Sequence, residues 1–100
     1  MYEVRETRAF EKWLAGLRNA TVRARIVLRL ELARLGHFGD CRFVGERVSE
    51  LRIDMGPGYR VYFMRQRDTL LFLCGGDKST QQRDIERAKA MARADEDGTQ

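Results

Sequence analysis

Apolar and polar residues alternate over Tyr2-Glu3-Val4-Arg5, which predicts a short strand with one face on a core. The period then lengthens. Phe10, Trp13, Leu14 and Leu17 recur at i, i+3, i+4 and i+7, the buried stripe of a helix that Thr7 is placed to cap. A second helix follows with Asn19 as its cap. Val22, Ile26, Leu30 and Ala33 form its stripe, Leu28, Leu32 and Leu35 widen it, and Gly36 stands where a left-handed residue would end it. The polar positions of this helix carry Arg23, Arg25, Arg29, Glu31 and Arg34. They read either as a solvated face or as a contact surface for nucleic acid or a protein partner.

Residues 37–46 read as a loop with a candidate short strand at Arg42-Phe43-Val44. Alternation returns over 48–54, with Leu51 and Ile53 on one face and Glu50, Arg52 and Asp54 on the other. Gly56-Pro57-Gly58 cannot continue a ladder and marks a turn. In the next strand Tyr59, Val61 and Phe63 share one face, and Arg60, Tyr62 and Met64 share the other. After a turn at 65–68, the nearly unbroken apolar run 69–74 has the pattern of a central strand buried on both sides. Gly75 and Gly76 let the chain leave the sheet. Ser79 or Thr80 then caps a last helix, Ser79 and Gln82 forming a capping box, along which Ile85, Ala88, Met91 and Ala92 recur.

The predicted order is β-α-α-β-β-β-α. This is an α+β fold with a small antiparallel sheet and the two N-terminal helices packed on one face. Residues 1–94 form one domain, and the polar tail 95–100 is expected to be disordered. The other face of the sheet is expected to stay partly open, lined by Arg52, Arg60, Tyr62 and Lys78. Two readings of those cations stand side by side. They form a phosphate-binding surface, or Arg52 and Arg60 pair across the strands with Glu50 and Asp54.

Composition sharpens the first reading. The 100 residues carry 19 Lys and Arg against 15 Asp and Glu, a net charge of +4, and sixteen of the cations are arginine. Arginine's planar fork of donors fits phosphate and carboxylate alike, although a GC-rich genome would give the same bias. Cys41 and Cys74 have no Cys or His neighbours at ligand spacing, so no metal and no cofactor is expected. His37 is the single histidine, in the loop. The N-terminus has no long apolar segment of the signal-peptide kind, and no apolar run reaches membrane-spanning length. A reduced, cytoplasmic protein is therefore expected.

The runs ELRIDMGPGYRVYF and LLFLCGGDKSTQQRDIERAKAM, in this order and spacing, resemble the RelE/ParE superfamily of bacterial type II toxins, in particular its HigB-like addiction-module-killer branch. The resemblance spans roughly Tyr2 to Ala92. It implies a toxin that arrests growth unless held by an antitoxin with a helix-turn-helix domain, through which alone it would meet operator DNA. It further implies a metal-independent, ribosome-dependent endoribonuclease, in which a ribose 2′-hydroxyl attacks the adjacent phosphodiester of mRNA. Arg60 matches the family's strand arginine, Arg52 the cation of the preceding strand, and Lys78 the basic residue after the last strand. These three are the implied catalytic residues, and Arg52, Arg60, Tyr62, Lys78 and Arg83 the implied RNA contacts. RelE-like toxins also place a tyrosine beyond the last-strand loop. Residues 80–85 contain none, which leaves Tyr62 as the candidate in the sheet. The alternatives within the resemblance are a ParE-like inhibitor of DNA gyrase and an inactive antitoxin-binding scaffold.

Overall fold

The computed structural model of the chain describes residues 1 to 96. Its elements are β1 (Glu3–Glu6), α1 (Arg8–Ala15), α2 (Ala20–Arg34), β2 (Cys41–Gly45), β3 (Val48–Ile53), β4 (Tyr59–Gln66), β5 (Thr69–Asp77), a 3-10 turn (Lys78–Thr80) and α3 (Gln81–Glu96). The fold is α+β, but the sheet is mixed rather than antiparallel. Its strands lie in the order β1-β5-β4-β3-β2, with β1 parallel to β5 and every other pair antiparallel. The chain enters at one edge and crosses the sheet through α1 and α2. It starts again at the far edge with β2 and meanders back until β5 lies beside β1. Alternation marks strands but carries no direction; the two-helix crossover starts β2 antiparallel to β1, and the three reversals of the meander then bring β5 in parallel to β1.

The helix ends follow local chemistry. Thr7 Oγ1 accepts from the Phe10 N–H at 3.0 Å and donates to the Leu73 carbonyl at 2.6 Å, so one hydroxyl caps α1 and ties it to β5. Asn19 Oδ1 accepts from the Thr21 and Val22 N–H groups. Gly36, at φ 93°, closes α2, with the His37 N–H on the Leu32 carbonyl and its own N–H on that of Ala33. The last helix departs from expectation. Asp77 caps the 3-10 turn, accepting from the Ser79 N–H at 2.8 Å, and α3 begins only at Gln81. Asp95 and Glu96, assigned above to the tail, are helical, and Gln66 Nε2 donates to Asp95 at 2.8 Å. The rest of the expected tail lies outside the described residues.

Both faces of the sheet are covered. On one, Phe10 of α1 and Val22, Ile26, Leu30 and Ala33 of α2 pack on Leu51, Ile53, Val61, Phe63, Leu70 and Phe72. Leu28 and Leu35, expected to widen this stripe, are exposed instead. On the other face α3 lays Ile85, Ala88 and Ala92 on Val48, Tyr62, Met64, Leu71, Leu73 and Cys74. The expected open face does not exist, because the amphipathic last helix needs an apolar surface and this is the one left to it. Each large side chain so buried contributes roughly 1.5–3 kcal/mol by leaving water.

One irregularity in β5 sets the geometry of its end. Tyr62 pairs with Cys74 and Phe63 with Phe72, so Leu73 is an extra residue, and both Leu73 and Cys74 face α3. The bulge also turns Gly75 toward α1 and Gly76 toward α3. A methyl group on Gly75 would overlap the Trp13 ring, and one on Gly76 would overlap the Asp84 carboxylate. The two glycines thus admit a helix from each side. Among the described residues no helix is long and apolar enough to cross a membrane.

Candidate functional site

At the end of the sheet where β3 turns into β4 and β5 into the 3-10 turn, a cleft of about 240 Å³ is lined by Asp40, Arg52, Asp54, Gly56, Pro57, Gly58, Arg60 and Lys78. The β3–β4 register puts Arg52 directly opposite Arg60. Lys78 joins them because its N–H donates to the Gly58 carbonyl at 2.9 Å, closing the β5 end against the β3–β4 turn. Gly58, at φ 83°, is required there by the backbone and fits beneath the Lys78 stem. The turn needs the left-handed conformation, and a Cβ would meet Lys78 Cδ at 2.9 Å. The lysine stem lies across the glycine.

Like charges directly opposite in a sheet repel, and carboxylates relieve the repulsion here. Arg52 is held by Asp40, whose Oδ1 lies 3.2 Å from Nε and 3.1 Å from NH2. Asp40 is itself fixed through its backbone. Its carbonyl accepts from the Arg52 N–H and from the guanidinium of Arg29, which also donates to the Phe38 and Arg52 carbonyls. Arg29 is therefore a tether reaching from α2 to the cleft wall, not part of a solvated face.

Arg60 has a different counter-ion. Its Nε lies 4.0 Å from Glu50 Oε2, and the glutamate is fully buried. That same oxygen accepts from the Tyr62 hydroxyl at 3.0 Å and from Gln81 Nε2 at 2.8 Å. Glu50 Oε1 and Arg60 Nε have no hydrogen-bond partner among the described residues. Both readings of the cations thus hold in part: they converge on one cleft, and two of them are ion-paired, Arg52 with Asp40 in place of Asp54.

Arg52, Arg60 and Lys78 are brought together as the sequence suggested; Tyr62 and Arg83 are not. Tyr62 is fully buried beneath α3, and burial together with the Glu50 carboxylate pushes its phenol well above the ordinary value, so it serves as a hydrogen-bond donor inside the core. Arg83 is exposed in the first turn of α3 and does not line the cleft. Arg60 is only 8% exposed, in contrast to the open-face position expected for it. Asp40 and Gln81 went unread, Arg29 was read only as one of the polar positions of α2, and Glu50 was expected as a cross-strand partner but on an open face rather than fully buried. Glu50 had a signal, since it shares a face with Arg52 and a carboxylate on a covered face needs partners. Asp40 had none, because only the loop's path brings it to Arg52. Among the described residues no group of three or more His, Cys, Asp or Glu side chains could hold a metal ion.

The fold and cleft define a small α+β protein with two arginines and a lysine gathered in a cleft at the end of a mixed sheet. No family model matches the chain. It is 45% identical over 91 residues to an uncharacterized protein of Haemophilus influenzae, covering 90% of this chain and 92% of that one, and it belongs to that protein's family. A conserved hypothetical protein of Helicobacter pylori, solved in solution, aligns at 20% identity and a TM-score of 0.46 over 79% of this chain and 97% of its own.

Proposed function

We propose that the protein is the toxin of a type II toxin-antitoxin pair of the RelE/ParE kind, and that it cuts messenger RNA in the ribosomal decoding site. The observation that carries this reading is the convergence of Arg52, Arg60 and Lys78 on one cleft. In the proposed reaction the 2′-oxygen attacks the adjacent phosphorus and the 5′-oxygen of the next nucleotide leaves, giving a 2′,3′-cyclic phosphate and a 5′-hydroxyl. Arg60 and Arg52 neutralise the charge that builds on the equatorial phosphate oxygens. Lys78, exposed at the rim, donates to the leaving oxygen. Proton acceptors among the lining residues include the carboxylates of Asp40 and Asp54. Asp40 is committed to Arg52, which leaves Asp54 to take the 2′-hydroxyl proton. A lone carboxylate is a weak base for that task, so efficient cutting relies on alignment by the ribosome. Between cuts, an antitoxin with a helix-turn-helix domain would hold the protein inactive.

The test is expression of the chain without an antitoxin. Wild type and Lys12→Ala, a change on the exposed side of α1, should arrest growth, whereas Lys78→Ala, also exposed and so neutral for folding, should relieve the arrest. Unimpaired growth with the wild-type chain, at protein levels matching the variants, would reject the toxin reading.

A further inference from the structure

On the α1–α2 side of the sheet, α1 and α2 cover β5, β4 and β3 but stop short of edge strand β2. They leave a groove of about 360 Å³ lined by Phe38, Cys41, Phe43, Arg47, Ser49, Phe63 and Arg65. The volume falls in the usual range of small-ligand sites, roughly 300–1,000 Å³. Phe43 is 68% exposed, and the register Phe43–Ser49–Phe63 sets it at the end of a cross-strand row. Phe38 stacks on Phe63 with ring planes 2° apart and centroids 5.6 Å apart, forming a flat wall. Arg65 lies over the Tyr2 and Phe38 rings, at 5.8 and 6.0 Å, and donates through NH1 to the Tyr2 hydroxyl. A guanidinium has five donors, so others remain for a ligand.

The turn beside the groove is strained. Glu46 and Arg47, the two residues between β2 and β3, have φ of 48° and 70°, a mirror-image hairpin turn that ordinarily takes Asn-Gly. Glu46 is fixed by an ion pair with Arg93 of α3. Arg47 stands at the groove's rim, where glycine would suit the backbone better.

We propose that this groove binds single-stranded nucleic acid, one unstacked base lying on the Phe43 ring while neighbouring phosphates meet Arg47 and Arg65. The lining decides for this class over a peptide. It holds three phenylalanines and two arginines beside Cys41 and Ser49, and the two arginines add a positive charge that a phosphate backbone complements and an apolar peptide does not. Every base has a π-face, and an aromatic ring flanked by arginines is the composition that stacks bases without reading sequence. A second copy of the chain would set arginine against arginine. The site rests on the RNA reading for its purpose, as a second hold on the transcript away from the cleft, but its binding is measured without any cleavage.

Fluorescence anisotropy of a labelled octanucleotide of mixed sequence at low salt, in ribo and deoxyribo forms, tests it. Both forms should bind within a few fold of each other, since stacking and phosphate contact do not use the 2′-hydroxyl, and affinity should fall with salt. Phe43→Ala should weaken binding about tenfold and Phe43→Tyr should restore it. Absence of oligonucleotide binding at low salt, or Phe43→Ala within twofold of wild type, would overturn the proposal. So would backbone amide shifts at Phe43 and Ser49 on adding a glutamate-rich peptide but not the oligonucleotides. Failure of the toxicity test with the Phe43 effect intact would reject the toxin alone.

Discussion

Glu50 lies behind Arg60, its Oε2 4.0 Å from the arginine Nε, and neither that nitrogen nor the second carboxylate oxygen has a hydrogen-bond partner among the described residues. The pair is close enough to neutralise and too far to bond. Removing one member leaves the other as an uncompensated buried charge, which costs about 3–5 kcal/mol. Arg60→Ala should therefore destabilise the fold by that order, and Glu50→Gln should recover part of the loss when added to it. Denaturant unfolding of the two single variants and the double variant measures the coupling, expected to be about 1–3 kcal/mol. Strict additivity would mean that the two charges do not depend on each other.

The Thr7 hydroxyl caps α1 and also donates to the Leu73 carbonyl, whereas Asn19 only caps. A lost cap costs about 1 kcal/mol, which for a domain of this size is a drop of about 4–8 °C in Tm. Thr7→Ala should lower Tm by more than Asn19→Ala, and Thr7→Ser should restore most of it. Equal losses from the two alanines would show the Leu73 bond to be immaterial.

Gly75 and Gly76 receive Trp13 and the Asp84 carboxylate from opposite faces. Alanine at either site forces a helix off the sheet, and overpacking of this kind costs about 1–3 kcal/mol. Both substitutions should lower Tm, Gly75→Ala with a change in Trp13 fluorescence and Gly76→Ala without one. Wild-type stability in either variant would contradict the packing described.

Burial pushes the Cys74 thiol up from 9.0 to about 12, and Tyr62 is raised in the same direction by burial and by Glu50. An acid whose folded pKa is raised holds its proton more tightly in the native state, so its contribution is complete below the unfolded value and is lost as pH climbs toward the folded one. Unfolding free energy should therefore fall between about pH 9 and 12, less steeply in Cys74→Ala. A Cys74→Ala profile parallel to wild type would show that this thiol does not contribute.

The strands, the helices and the caps of α1 and α2 were legible because each rests on neighbours in sequence: Phe10, Trp13 and Leu14 for α1, Gly36 for the end of α2; the Asp77-capped 3-10 turn before α3 was not. The cleft's three cations were legible too, since Arg52 and Arg60 share a pleat and Lys78 follows β5. What failed needed long-range knowledge. The run 70–74 already carried the pattern of a strand covered on both sides, yet only the packing of α3 showed which residues it would cover. Tyr62 and Arg60 were lost from the surface by that one contact. Asp40 and Arg29 reach the cleft through a loop whose path no periodicity encodes, and the bulge at Leu73 reassigns the faces of Cys74, Gly75 and Gly76 where simple alternation would reverse them.

The central claim is that the Arg52–Arg60–Lys78 cleft cuts ribosome-bound mRNA, and sequencing RNA 5′ ends after brief induction tests it most directly. Arg60→Lys, which keeps the charge beside Glu50 and loses the planar fork, is the informative comparison, since loss of one transition-state donor lowers turnover about 10²- to 10³-fold. The wild-type chain should produce new 5′-hydroxyl ends inside translated codons, and Arg60→Lys should bind ribosomes within a few fold of wild type while producing almost none. Unchanged RNA ends with the wild-type chain, together with blocked supercoiling by purified gyrase, would contradict the account and make the cleft a protein-binding surface.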